Sequence, residues 1–310
     1  MKSSGPEVVP TGVPTLDLSE ALPSSTPTRF SDLLTLMKAR LSLLVIVTTF
    51  VGFCFGSSGQ PDWILLLHTV LGTTLAAASA AVLNQWLEID VDRLMDRTRD
   101  RPLPAGRLQP ATALTLGLAL GALGTLWLWF ATNPIATALA AATIVIYVLI
   151  YTPMKRRTSL CTVVGAVSGA IPPMIGWTAA RPSFDLGAWV LFGVLFTWQM
   201  PHFLAIAWMY RHEYADAGFI MIPPNDRTGI ATATQSLLYT LGLLAITTIP
   251  FFAGMNTSLY LVVGLLLDSV MLVCALVFLF DRSRSTARAL FFASISYLPL
   301  ILGLMIFNRQ

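Results

Sequence analysis

The sequence predicts an all-α polytopic membrane protein of about nine transmembrane helices. Three observations carry this expectation. Only 11% of the 310 residues are charged and 55% are hydrophobic, whereas a soluble domain carries about 25% charged residues. The apolar residues gather in long runs, each able to cross a hydrocarbon core of about 30 Å as a helix rising about 1.5 Å per residue. Those runs are continuously apolar rather than alternating, which favours helices over a β-barrel.

Taken in order, residues 1–31 are rich in Pro, Ser and Thr and read as a disordered tail. They lack the apolar core of a signal peptide and the arginine content of a transit peptide, so a bacterial inner membrane is expected rather than an organelle. Residues 32–310 form the membrane domain. Its spans are expected near 34–55, 64–87, 111–130, 135–152, 161–180, 186–209, 232–254, 259–280 and 289–307. Nine spans place the termini on opposite sides. Seventeen of the 19 basic residues then fall on the N-terminal side, against only Arg181 and Arg309 on the other. The N-terminus is therefore expected in the cytoplasm and the C-terminus across the membrane. Cys54, Cys161 and Cys274 lie singly in spans and suggest neither a disulfide framework nor a metal site. The net charge of +3 belongs to these loops; membrane lipid, and no nucleic acid, is the expected surrounding.

The second span ends in a dense mixed-charge stretch, N-Q-W-L-E-I-D-V-D-R-L-M-D-R-T-R-D-R-P-L, residues 84–103. Helical steps of four keep Asn84, Glu88 and Asp92 within an arc of about 80°. One face would then present an amide oxygen and two carboxylates. Oxygen ligands so spaced suit Mg²⁺, which takes one or two carboxylates and often completes its shell with phosphate. Arg97 and Arg101 follow at once, and arginine grips phosphate oxygens bidentately. Lys38 and Arg40 open the first span on the same side; Lys155 and Arg156 follow the fourth. Together these groups could hold a metal diphosphate at the membrane face.

A second array closes the sixth span, W-Q-M-P-H-F-L-A-I-A-W-M-Y-R-H-E-Y-A-D-A-G, residues 198–218. Glu213 and Asp216 are its acids, three apart, and serve either a second metal or the same one from the opposite wall. Trp198, Gln199 and His202 lie deeper, and Tyr210 lies beside the acids. Pro201 is expected to kink this span. Two similar arrays four spans apart hint at an internal duplication.

At these residues the chain resembles the intramembrane aromatic prenyltransferase superfamily of ubiquinone-biosynthesis type, which carries an Asn-x-x-x-Asp-x-x-x-Asp motif after the second span and another acidic motif after the sixth. Within it the chain is most similar to the protohaem IX farnesyltransferases, or haem O synthases. The resemblance rests on R-T-R-D-R-P-L-P-A-G-R at 97–107, Y-T-P-M-K-R-R-T at 151–158, G-A-I-P-P-M-I-G-W at 169–177 and W-Q-M-P-H-F at 198–203. It covers the chain from about residue 32 to the end. Glu88 stands where that family usually has Asp, and Cys161 where it often has Asn.

The resemblance implies helices around a central cavity open to the cytoplasmic face. It implies transfer of farnesyl from farnesyl diphosphate to a vinyl group of protohaem IX, giving haem O and diphosphate, with haem as substrate and Mg²⁺ as cofactor. Asn84, Glu88, Asp92 and Glu213 would ligate the metal, with Asp216 completing the catalytic acids. Lys38, Arg40, Arg97, Arg101, Lys155 and Arg156 would hold the diphosphate. His202, Gln199, Trp198 and Tyr210 would meet the haem. A downstream haem-modifying enzyme or a terminal oxidase would receive the product. Two readings compete: a prenyltransferase for a quinone or other aromatic precursor, and, in another class, a secondary transporter or haem-delivery protein.

Overall fold

The computed structural model describes residues 28–310; residues 1–27 of the expected tail, and the side chains of residues 40 and 41, lie outside the described residues. The chain runs α1 (Arg29–Leu36), α2 (Ala39–Gly56), α3 (Trp63–Leu87), α4 (Ile89–Asp92), α5 (Pro110–Ala131) and α6 (Pro134–Val145). A π-helical turn, Ile146–Tyr151, then leads to α7 (Thr152–Met154). There follow α8 (Cys161–Ala180), α9 (Leu186–Met209), α10 (Arg211–Asp216), α11 (Ile230–Phe252), α12 (Ser258–Phe280) and α13 (Arg284–Phe307). Residues 29–31, assigned to the tail from sequence, are instead the first turn of α1.

Among the described residues, eight helices are long and apolar enough to cross a membrane; a further apolar helix, Ser42–Gly56, is shorter. The expected first span, 34–55, is thus not one helix. It breaks at Lys38, whose backbone is left-handed at φ 48° and ψ 53°. The side chain explains the break, because Lys38 Nζ donates to Asn84 Oδ1 at 2.7 Å. That contact offsets a conformation disfavoured for a residue bearing a Cβ. Pro201 lies inside α9 without ending it.

Local chemistry sets the other boundaries. Asp62 caps α3 by accepting from the Ile64 and Leu65 amides, each at 3.0 Å. Asn133 caps α6 in the same way and donates to the Thr178 carbonyl at 2.7 Å, fixing α6 to α8. Pro110 and Pro134 open their helices at positions where no amide is needed. The π-turn falls just before Pro153, which has no amide to continue the regular ladder.

The helices pack α2 on α8, α3 on α5, and α9 on α8, α11 and α13. Glycine makes the first of these possible. A Cβ on Gly52 would lie 1.9 Å from the Pro173 carbonyl oxygen, and one on Gly176 2.0 Å from that of Thr49. Small residues let membrane helices approach backbone to backbone, where packing rather than hydrophobicity drives association. The large apolar residues at the rim, Phe130, Phe280 and Phe307, are more than 80% or just 80% exposed. In water such a surface would aggregate; it suits lipid.

Candidate active site

The polar ends of α3, α7 and α10 converge with α4 and the 93–109 loop. Helix α3 stops at Leu87, and Glu88 is its cap, with φ −102° and ψ 9°. Asn84, Glu88 and Asp92 therefore do not lie on one continuous helix as the spacing suggested. They still meet, because the Asp92 amide donates to the Glu88 carbonyl at 2.8 Å, so the turn resumes at once.

Each acid is buried and holds a cation. Glu88 is 6% exposed and Asp92 1%. Lys155 Nζ donates to Glu88 Oε1 and Oε2 at 2.8 and 3.1 Å. Arg101 Nη1 donates to Asp92 Oδ2 at 2.7 Å. Asn84 links the set: its Oδ1 accepts from Lys38, while its Nδ2 donates to Glu88 Oε2 at 2.9 Å and Thr152 Oγ1 at 3.0 Å. Burial pushes the Asp92 carboxyl above the usual carboxylate range, and Arg101 pulls against it. For Lys155, burial opposes the charge, but Tyr151 and Glu88 outweigh it and hold the ammonium above the ordinary lysine value.

These groups surround a cavity of about 70 Å³ lined by Lys38, Glu88, Asp92, Arg97, Arg101, Tyr151 and Lys155, among others. Four cations thus face two carboxylates, so the cradle attracts an anion. Above it opens an apolar chamber of about 220 Å³ between α2, α3, α6, α8 and α9. Its walls include Ala76, Ala77, Ala80 and Ala81 of α3, with Gly169, Gln199 and Phe203 farther along. Lys38 and Tyr151 line both spaces. The Tyr147 and Tyr151 rings lie 5.1 Å apart near this neck, with Lys155 Nζ 4.6 Å from the Tyr151 ring.

The other sequence-derived candidates scatter. Arg97 reaches the cradle, with its guanidinium 4.4 Å from the Tyr214 ring and 5.5 Å from that of Tyr210. Its Nε is 3.8 Å from Glu213 Oε1. Glu213 does not join Glu88 and Asp92: among the described residues no three His, Cys, Asp or Glu side chains form a metal-binding group. Asp216 is exposed and does not line the cradle, and neither does the exposed Arg156. α10 begins a new helix after Tyr210, and Glu213 faces Arg97 from it with Oε1 buried. The side chain of Arg40 lies outside the described residues.

The four residues expected around an acceptor do not line one common space. Gln199 lines the chamber, its amide donating to the Leu195 carbonyl at 3.0 Å. Trp198 turns to α13, its indole donating to the Ser294 carbonyl at 2.7 Å. His202 Nδ1 is 2.7 Å from Ser294 Oγ, and its ring stacks between Trp198 and Phe291 with centroids 5.3 and 4.9 Å away. Neither Trp198 nor His202 lines the chamber. The residues that sequence reasoning missed are Tyr147, Tyr151, Thr152, Thr98 and Phe219. Tyr147 and Tyr151 were findable, being four apart at the end of a span.

Glu88, Asp92 and Asn84 are a hard-oxygen donor set. Two carboxylates fit Mg²⁺, which usually completes its shell with water and phosphate oxygens. The chemistry of these donors is therefore consistent with that ion.

Comparisons with known proteins bear on the family and the fold. The sequence profile of the UbiA prenyltransferase family matches residues 45–297. A protoheme IX farnesyltransferase of Solibacter usitatus is 42% identical over 90% of this chain and 98% of its own length. Another, of Opitutus terrae, is 43% identical over 92% and 98%. Among solved structures, a UbiA homolog from Archaeoglobus fulgidus bound to GPP and Mg²⁺ superposes with a TM-score of 0.64 at 15% identity, covering 89% of this chain and 99% of that one.

Proposed function

The chain belongs to the UbiA prenyltransferase family and within it to the protohaem IX farnesyltransferases, and from that premise we propose how its residues carry out the transfer. It is a multi-pass membrane enzyme that makes haem O from protohaem and farnesyl diphosphate. The farnesyl chain occupies the apolar chamber, and the diphosphate lies in the cradle. The observation carrying this reading is that the two spaces adjoin, with Lys38 and Tyr151 lining both. A charged head on a long apolar tail needs that arrangement.

Glu88, Asp92 and Asn84 would hold Mg²⁺. When bound, the ion supplies Lewis-acid stabilisation of charge on the leaving diphosphate. Lys38, Arg97, Arg101 and Lys155 act on the same charge through their donors. To reach phosphate, Arg101 and Lys155 release part of their hold on Asp92 and Glu88. The pairs thus keep buried charges matched until a substrate re-pairs them, which avoids the cost of an unpaired buried ion.

In the reaction, the allylic C–O bond breaks and diphosphate departs with the electron pair. The allylic carbon bonds to the outer vinyl carbon, water adds at the inner one, and one proton is lost to solvent. The tyrosine faces at the neck stabilise the cationic carbon without capturing it. Residues 32–310 act as one prenyltransferase domain. The cradle faces the cytoplasm of a bacterial inner membrane, a reading supported by the basic residues gathered at that end.

Membranes containing the chain, given farnesyl diphosphate, Mg²⁺ and protohaem, should yield a farnesylated haem by chromatography with mass detection. Prenylation of a quinone precursor instead, with haem unchanged, would keep the family and sink the acceptor.

A further inference from the structure

A larger space, about 550 Å³, lies beside the cradle between α10 and the loop that precedes α11. Tyr214, Phe219 and Met221 line both spaces, so a wall one side chain thick divides them. Ile220, Ile222 and Pro223 make much of the rest apolar.

The charge on this pocket is one-sided. Arg211, His212 and Arg227 line it, with Asp226 as its carboxylate. Asp226 is committed elsewhere. Its oxygens accept from the Ala231 amide at 3.1 Å, the Thr232 amide at 2.8 Å and Thr232 Oγ1 at 2.6 Å, capping α11. Among the described residues, the arginines therefore line an apolar pocket without a carboxylate ion-pair partner. Arg211 is also held in place, its Nη1 donating to the Trp208 carbonyl at 3.0 Å and its guanidinium 4.3 Å from the Trp208 ring. A fixed guanidinium beside apolar walls suits an amphiphile that ends in carboxylate.

The chamber proposed for the farnesyl chain, at about 220 Å³, is less than half the size of this pocket. The acceptor needs its own space in reach of the diphosphate. We propose that this pocket docks the acceptor macrocycle, with its carboxylates on Arg211 and Arg227 and its reactive edge against the Tyr214 and Phe219 wall. Turning Phe219 aside joins the pocket to the cradle. The proposal rests on the haem reading above.

The test is spectrophotometric titration of protohaem, and of its dimethyl ester, into the purified full chain. Protohaem should bind the double variant Arg211→Gln, Arg227→Gln at least about tenfold more weakly, the scale of a lost charged hydrogen bond. The dimethyl ester, which has no carboxylate to lose, should bind wild type and variant alike. Farnesyl diphosphate binding should be unchanged, which also reports a folded chain. Ala215→Phe, at an exposed position lining the pocket, should weaken both porphyrins. If wild type binds protohaem and none of these substitutions alters it, the docking site is wrong while the acceptor stands. If wild type binds no protohaem, the acceptor reading fails and the proposal with it. Equal loss of ester and free acid in the arginine variant would also overturn the carboxylate assignment.

Discussion

At the end of α3, two carboxylates lie buried at 6% and 1% exposure, each within 2.8 Å of a cation. At the end of α9, Asp216 is exposed and Glu213 keeps only a 3.8 Å approach to Arg97. Acids at helical spacing beside arginines occur in both places, yet only the first forms a cradle. The difference lies in what covers them. The first array is roofed by α7 and the 93–109 loop, so its charges interact across little water and are strong there. The second begins a separate short helix, where water screens the exposed Asp216 while Glu213 is only partly covered. It contributes aromatic walls instead: Tyr210 and Tyr214 under Arg97, and Phe219 beside Lys155.

The largest test of this contrast sets Asp92→Asn against Asp216→Asn in the farnesyl-transfer assay. Asp92→Asn should lower turnover by about 10² to 10³, the scale for losing one group that stabilises developing charge. Asp216→Asn should leave it within about twofold. Comparable losses in both would mean that the second array supplies a metal ligand.

Next in size is the Lys155 and Glu88 pair. Lys155→Met leaves the Glu88 carboxylate buried without its cation, a change worth about 3–5 kcal/mol. Thermal unfolding in detergent should show that loss, and adding Glu88→Gln should restore most of it. An additive double variant would show that the pair is not coupled in the folded chain. Neither variant should retain activity, so stability and catalysis separate in this experiment.

The spans were legible because lipid demands long apolar helices whatever the tertiary fold. The acid row was legible because steps of four survive the short break at Glu88. The break at Lys38 was not, since its side chain is drawn to Asn84, 46 residues away in the chain. The second array was less legible for a related reason: residue type and spacing are in the sequence, but the start of α10 as a separate short helix is not. His202 was likewise conspicuous as a polar residue in an apolar run. Its neighbours, Ser294 and Phe291, come from α13, about ninety residues away.

A third test concerns the chamber wall that α3 builds from alanines. Ala77→Phe places a ring in the chamber proposed for the farnesyl chain. Farnesyl diphosphate should lose on the order of tenfold in kcat/KM, while the shorter geranyl diphosphate loses less. An equal loss for both would place the chain elsewhere.

The smallest expected effect is the most pointed, because Glu213 is the one acid of the second array with any link to the cradle. Its carboxylate approaches Arg97 at 3.8 Å, and both side chains are about a third exposed. Such a pair is worth roughly 0–1 kcal/mol. Glu213→Gln should therefore raise KM for farnesyl diphosphate at most a few-fold, by loosening Arg97, and leave kcat unchanged. Arg97 itself stays seated on Tyr214. Should kcat collapse as in Asp92→Asn, then Glu213 must swing inward when substrate binds, and the two arrays would be partners in one metal site despite their separation here.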